Sequence, residues 1–387
     1  MYALQAVNKK ALIAALVIIL AAIALYLLNF LNITSLILRQ KNIPTIEKGP
    51  LTQTSDRDLK DIPLLSTVAK NLEVPWAIAF LPDGGILVTE RPGRVRLIDK
   101  NGNLQNEPIS QISAVEQFGE GGLMGIALHP EFEKNNFVYL YYTYAGDQDN
   151  TLNRVSRFTF DKKSLKDETI IVNAIPGNRF HNGGRIKFGS DGFLYITTGD
   201  SQDPSLAQDT NSLAGKILRV TENGSPAPDN PFANLIFTYG HRNPQGIAWD
   251  SKGRLWETEH GNTATDELNL IEIGQNYGWP TIRGDQTQEG MKSPVIHSGD
   301  QTWAPAGAAF LNGSIFFAGL RGQALFEAKI ENGKTNLVEH LKGQLGRLRE
   351  VVVGPDNMLY ITTSNRDGRG VPTSDDDKII RLNPTKL

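Results

Sequence analysis

Residues 181–200 read HNGGRIKFGSDGFLYITTGD. A polar loop at His181 leads into a short strand. Asp191-Gly192 then turns the chain into the apolar strand Phe193-Leu194-Tyr195-Ile196. An Asp-Gly pair between two such runs is a hairpin signal, because the turn needs residues that tolerate positive φ. The same word recurs along the chain. It appears as Asp83-Gly84 before Ile86-Leu87-Val88, and as Asn135-Asn136 before Phe137-Val138-Tyr139. It returns as Lys252-Gly253 before Leu255-Trp256, Asn312-Gly313 before Ile315-Phe316-Phe317, and Asp356-Asn357 before Leu359-Tyr360-Ile361. The second turn residues stand at 84, 136, 192, 253, 313 and 357, so the intervals run from 44 to 61 residues. That is the length of a four-stranded meander, and six of them make a propeller. The expected fold is therefore all-β: a six-bladed β-propeller of four-stranded antiparallel blades. A pair of β-sandwiches would not repeat one word six times. The ring should close by pairing early and late segments, near residues 67–80 and 378–384.

Composition agrees. The chain has 387 residues, with 37 Gly and 20 Pro, which suits a turn-rich fold. The net charge of −3 and the lack of any long basic block argue against a nucleic-acid partner. With no Cys, disulfides and thiolate metal sites are excluded.

The N-terminus differs from the rest. No residue from Ala11 to Leu38 is charged, a run longer than the ~20 residues a bilayer-crossing helix needs. Residues 1–38 are thus expected to form an uncleaved signal-anchor, one transmembrane helix. Residues 39–66, with Pro44, Pro50 and Pro63, read as a polar linker, and 67–387 as the propeller. A short tail before a large domain places the propeller on the periplasmic or extracellular side.

Propeller loops converge on the central axis at one face, so chemistry should sit in loops drawn from several blades. His181 and Asp200 flank one hairpin. A carboxylate beside an imidazole fixes its tautomer, as a general base requires, although a capping Asp and a backbone-bonded His read equally well. The loop Gly240-His241-Arg242-Asn243-Pro244 crowds hydrogen-bonding groups between a glycine and a proline. Arg242 there suits a developing oxyanion, or a tie between blades. The segment Glu257-Thr258-Glu259-His260-Gly261-Asn262, leading to Asp266-Glu267, is rich in oxygen and suits calcium better than zinc. Arg347-Leu348-Arg349 alternates on a strand, so both guanidiniums should share a face. Salt bridges to Glu350 or Glu120 would satisfy them, and so would a polycarboxylate ligand.

Taken together these blocks resemble the glucose/sorbosone dehydrogenase family, and within it the aldose sugar dehydrogenases. The likeness spans about residues 67–385 and rests on VPWAIAFLPDGGILVTERPGRVRLI, GEGGLMGIALHPEF, HNGGRIKFGSDGFLYITTGD, GHRNPQGIAWD, EHGNTATDELNLI, NYGWP and LREVVVGPDNMLYITTSNRDGRG. The resemblance implies oxidation of a small-molecule aldose by pyrroloquinoline quinone (PQQ) and Ca²⁺, with an electron acceptor that the sequence does not name. It implies His181 as catalytic base, Asp200 as its orienting carboxylate, and Arg242 and Asn243 at the quinone's reactive carbonyl. It further implies Arg321, Arg347 and Arg349 against the PQQ carboxylates, and Gly261 and Asn262 offering carbonyls to calcium. Glu267 and Tyr277 fall where a second, structural calcium would bind.

Several positions depart from the family pattern. Glu120 stands where familiar members carry Gln near the cofactor, and would oppose an anionic ligand unless an arginine pairs with it. Arg321 replaces Lys. Trp303 is expected to wall the quinone. Animal relatives of this family are non-catalytic and bind protein ligands, which makes a binding propeller the alternative reading.

Overall fold

A computed structural model of the chain describes residues 61–387, apart from 148–149 and 332–333. The uncharged stretch read as a membrane anchor and nearly all of the linker lie outside the described residues. Among the described residues no helix is long and apolar enough to cross a membrane.

Among the described residues, twenty-four strands form six antiparallel sheets of four strands each. Five blades are consecutive meanders. Blade 1, for example, is built from strands Pro75–Phe80, Ile86–Glu90, Arg94–Ile98 and Ser110–Gln111. Blade 6 takes Leu348–Val353, Leu359–Thr363 and Ile379–Leu382 from the end of the chain, and its outermost strand, Leu65–Ala69, from the start. Leu65 pairs with Leu382 and Thr67 with Ile380. Closure thus joins early to late, but with 65–69 rather than the whole of 67–80, because 75–80 is already the first strand of blade 1. A closed ring leaves no blade with a free inner edge to recruit another chain.

All six turn words lie between the first and second strands of their blades. Their second residues have positive φ: 91° at Gly84, 55° at Asn136, 81° at Gly192, 74° at Gly253, 87° at Gly313 and 58° at Asn357. Glycine and asparagine tolerate that region at least cost, which is why the repeat survives in the sequence. In most of the words the preceding Asx side chain accepts a nearby backbone N–H. Asp191 Oδ1 does so from Phe193 at 3.2 Å and Asp83 Oδ1 from Gly85 at 3.0 Å.

Around the axis the first strands of most neighbouring blades contact one another. Their backbones approach so closely that a Cβ on Gly246 would lie 2.1 Å from the Ala306 carbonyl oxygen, and one on Gly307 would strike Glu350. Threonine hydroxyls stitch blade to blade there: Thr89 Oγ1 donates to the Met124 carbonyl at 2.6 Å and Thr258 Oγ1 to that of Ala306 at 2.8 Å. Apolar strand faces pack between blades, with Leu87, Tyr141, Ile196, Phe317 and Ile361 fully buried. Each such side chain contributes about 1.5–3 kcal/mol. On the axis, buried Arg185 ion-pairs with Glu350 and lies 4.3 Å from the Trp76 ring centroid. Glu350 is therefore unavailable to Arg347 and Arg349.

Candidate active site

At the end of the propeller opposite the turn words, two sets of loops converge. One set enters the first strands and carries Glu120, His181, Arg242, Asn243 and Arg347. The other leaves the second strands and carries Arg91, Asp200, His260, Gly261, Asn262, Arg321 and Asp367. Eight of the residues expected from sequence line one cavity of about 330 Å³: Glu120, His181, Arg242, Asn243, Gly261, Asn262, Arg321 and Arg347.

His181 sits in the left-handed region, φ 61°, which a non-glycine residue adopts only when its surroundings hold it there. Its Nδ1 lies 2.6 Å from Asp200 Oδ1. Asp200 is fully buried and held in turn: Trp279 Nε1 donates to its Oδ2 at 2.9 Å, and the Gln202 N–H to its Oδ1 at 2.9 Å. The carboxylate therefore keeps the proton on Nδ1, and the free lone pair of the imidazole is on Nε2.

Around the same cavity several buried polar atoms have no partner: Arg242 Nε, Asn243 Nδ2 and His260 Nε2. Buried groups are normally bonded, so such a cluster marks the place of a polar ligand. Arg242 is positioned by Glu259, whose Oε1 accepts its backbone N–H at 2.9 Å, and by donation to the His260 carbonyl at 3.1 Å. Burial lowers its pKa against the opposing pull of Asp200, Glu259 and Asp266. Burial also pushes His260 down to about 4, so its ring is neutral at pH 7.

Asp266 organises the Gly261-Asn262 loop. Its Oδ1 accepts from Gly261 N at 2.8 Å, and its Oδ2 from Thr302 Oγ1, Trp303 N and Ala304 N at 2.6–2.9 Å. Those donors engage the carboxylate fully, so it clamps the loop. Trp303 does not wall the cavity: its ring packs in the core against Phe317 and Phe326, with centroids 5.5 and 5.6 Å away. Phe180 is the aromatic residue on the wall.

Glu267 and Tyr277 lie apart, on a void of about 10 Å³ that also touches Glu259, Gly261 and Asn262. Burial, then the neighbouring Glu259, pushes the Glu267 carboxyl up to about 8, and burial raises Glu257 well above its usual range. The Glu257 Oε1 atom has no partner, and one ligand atom each from His241, Glu257 and Glu259 falls within 4.8 Å of the others. Only Glu259 belongs to both the void and this cluster, and the buried carboxylates of Glu257, Glu259 and Glu267 are hard oxygen donors of the kind a divalent cation takes. The Tyr277 hydroxyl is not free for it, since it donates to the Leu270 carbonyl at 2.7 Å.

The late arginines have other partners than expected. Arg347 donates through Nε and an outer nitrogen to Asp367 Oδ2, both at 2.9 Å. Arg349 is buried, with Gln245 Oε1 at 2.7 Å as its bonded partner, and burial pushes it down to about 9. It lines not the His181 cavity but a neighbouring chamber of about 290 Å³. Glu120 pairs with Arg369 at 2.5 Å, so its carboxylate does not stand unpaired in the cavity. Burial opposes its ionisation, but the facing His260, Arg369 and Arg349 outweigh that and hold it below the usual carboxylate range.

Sequence reasoning missed Arg91, Arg179, Asp367 and Arg369, which line the second chamber, and Trp279, which orients Asp200. The repeat held a signal for the first: Arg91 follows its turn glycine by seven residues, as His260 follows Gly253.

The family model described as Glucose / Sorbosone dehydrogenase matches residues 72–380. The chain belongs to the glucose/sorbosone dehydrogenase family. It is an oxidoreductase of the sugar dehydrogenase type. It is 32% identical to the aldose sugar dehydrogenase YliI of Escherichia coli over 332 residues, covering 77% of this chain and 89% of that one. It is 32% identical to quinoprotein glucose dehydrogenase B of Acinetobacter calcoaceticus over 257 residues, 58% of this chain and 53% of the other. Among solved structures, the PQQ-bound aldose sugar dehydrogenase of Streptomyces coelicolor superposes with a TM-score of 0.78 at 41% identity, covering 83% of this chain and 97% of that one. The unpartnered donors of the cavity are chemically suited to a polycarboxylate quinone of that kind.

Proposed function

We propose that this member of the family oxidises aldoses at the anomeric carbon to lactones, using PQQ and calcium, with His181 as general base. The observation that carries the reading is the His181–Asp200 pair at the edge of a cavity rimmed by arginines and buried unpartnered donors. PQQ bound beside calcium supplies a hydride acceptor, and calcium the Lewis acid that polarises it.

The protein's own groups do the rest. Nε2 of His181 takes the proton from the anomeric hydroxyl, and Asp200 stabilises the imidazolium that results. The anomeric O–H and C–H bonds break: the proton goes to His181, a hydride leaves with two electrons, and the anomeric carbon of the already closed ring becomes the lactone C=O. Arg242 and Asn243 present N–H groups toward the reacting oxygen. Arg321 from the His181 cavity and Arg349 from the adjoining chamber would hold the carboxylates of the cofactor. Arg347, already held by Asp367, adds direction more than charge. Glu120 borders the same space, neutralised by Arg369. Gly261 and Asn262 would offer backbone carbonyls to the calcium. Glu267, with the Tyr277 segment, would hold a second cation. The uncharged Ala11–Leu38 stretch supports a membrane anchor with the propeller on the periplasmic or extracellular side.

The test is reconstitution. Purified protein is titrated with PQQ and Ca²⁺, and dye reduction is followed with a panel of aldoses. Saturable, cofactor-dependent reduction is expected. PQQ binding without turnover of any aldose would leave a binding propeller.

A further inference from the structure

The cavity and the chamber beside it share Glu120, Phe180 and Arg369 as a common wall. Together they are lined by seven arginines and three carboxylates, an excess of four positive charges. A tricarboxylate with one divalent cation carries one net negative charge. Cofactor binding therefore leaves about three positive charges uncompensated in a partly desolvated space, where an anion is strongly favoured.

The surplus has an address. The two acids of the chamber each have a dedicated arginine, Arg369 for Glu120 and Arg347 for Asp367. Arg91 and Arg179 form no ion pair with a carboxylate among the described residues; Asp367 and Glu120 act on Arg91 only from a distance, and burial outweighs them and lowers its pKa. Arg91 is 8% exposed, and its Nε is buried without a partner. Arg179 lies against the rings of Phe118 and Phe180, at 6.0 and 5.6 Å. Neither takes part in the mechanism above.

Their placement is built by the Gly119-Glu120-Gly121-Gly122 loop, which hangs between their backbones. Glu120 N donates to the Arg179 carbonyl at 2.8 Å and Leu123 N to that of Arg91 at 2.9 Å. Gly119 and Gly122 have φ of 61° and 142°, and a Cβ on either would come within 2.1 or 2.4 Å of those same carbonyl oxygens. The glycines let the loop sit close enough to bring both guanidiniums to one chamber.

We propose that this chamber receives an anionic substituent, a carboxylate or a phosphate, on the part of the aldose remote from its anomeric carbon. The proposal rests on the sugar-oxidising reading above. Because the two spaces share Phe180 and Glu120 as a wall, an aldose with its anomeric hydroxyl at His181 would extend its far end toward Arg91 and Arg179. The preferred substrates are then acidic aldoses, and neutral ones are the weaker set.

The experiment compares glucuronate and glucose 6-phosphate with glucose on the full-length chain loaded with PQQ and Ca²⁺. The acidic sugars should exceed glucose in kcat/KM by about 10-fold at low salt, and the margin should shrink as salt is raised. Arg179→Gln is exposed and should fold, and Arg91→Gln removes the buried partner. Each should lower the ratio of acidic to neutral kcat/KM by about 5- to 10-fold. Calorimetric titration of the unloaded protein with glucuronate and glucose 6-phosphate gives a readout free of turnover, and both variants should weaken it. A larger gain with glucuronate assigns a carboxylate to the chamber, and a larger gain with glucose 6-phosphate a phosphate. If glucose is oxidised as well as the acidic sugars and neither variant moves the ratio, the proposal is overturned. If no aldose is oxidised, the redox reading falls instead, while calorimetric binding lost in both variants still supports the chamber.

Discussion

The two ends of this propeller use polar residues in opposite ways. At the turn end, side chains close on their own backbone: Asp250 Oδ1 accepts the N–H of Lys252 and Arg254 at 2.9 and 3.0 Å, and Asp356 that of Met358 at 3.2 Å. At the other end Arg242 Nε, Asn243 Nδ2, His260 Nε2 and Arg349 Nε are buried and unpaired. Local satisfaction builds a hairpin and is complete without help. Leftover donors destabilise the empty protein, and only a ligand of opposite character compensates them. One end encodes the fold and the other the chemistry, so mutations at the two ends should separate stability from activity.

The largest effect belongs to His181. His181→Ala should lower kcat by roughly 10²–10⁴-fold, with PQQ affinity and thermal stability near those of the parent, as measured by dye reduction, cofactor titration and melting. Asp200→Asn should lower kcat less, because an amide still bonds Nδ1 but no longer fixes the tautomer or stabilises the imidazolium. A loss of folding in His181→Ala with no specific loss of turnover would make the dyad a structural cap and blur the contrast between the ends.

Arg349 should uncouple the two properties with opposite signs. Arg349→Met replaces a buried guanidinium with an apolar chain of similar length, so the unloaded protein should melt no lower than the parent, and higher by up to a few degrees. Its PQQ affinity should fall about 10- to 100-fold, the worth of a charge-assisted hydrogen bond. The parent should also lose affinity with rising pH. Arg349 is protonated below about 9 when the site is empty. Deprotonation removes the cation that the carboxylate needs, so affinity should be flat below that pH and fall above it. Titrations at several pH values on parent and Arg349→Met check this, and the variant should lack the decline.

How much of this was legible in the sequence follows the same division. The six blades were readable because each first turn demands a residue tolerant of positive φ, and Gly84, Asn136, Gly192, Gly253, Gly313 and Asn357 supply it at blade-length intervals. The cluster of His181, Arg242, Asn243, Gly261 and Arg321 was readable from unusual polar loops and from the family likeness. Pairings across blades were not. Nothing local ties Arg369 to Glu120, 249 positions away, or Arg185 to Glu350, 165 positions away. The salt-bridge reading of Arg347 and Arg349, one of the two that the sequence offered, failed for that reason: Glu350 is adjacent in sequence but faces Arg185 on the axis. Trp303 likewise reads as a wall beside Ala304, yet its ring turns into the core.

The smallest expected effect completes the contrast at the turn end. Gly192 has φ 81° with no atom within 4 Å of where a Cβ would stand. Gly192→Ala therefore meets no clash, and its whole cost is the left-handed backbone, about 1 kcal/mol. For a domain of this size that lowers Tm by roughly 2 °C. The turn lies on the face away from His181, so kcat and KM for any aldose should match the parent. Gly119→Ala is the control at the other end: its φ is 61°, but its Cβ would stand 2.1 Å from the Arg179 carbonyl oxygen. It must displace the Glu120 loop, and turnover should change together with stability. Equal effects of the two substitutions on turnover would mean that the ends are mechanically coupled and that the division between fold and chemistry is not spatial.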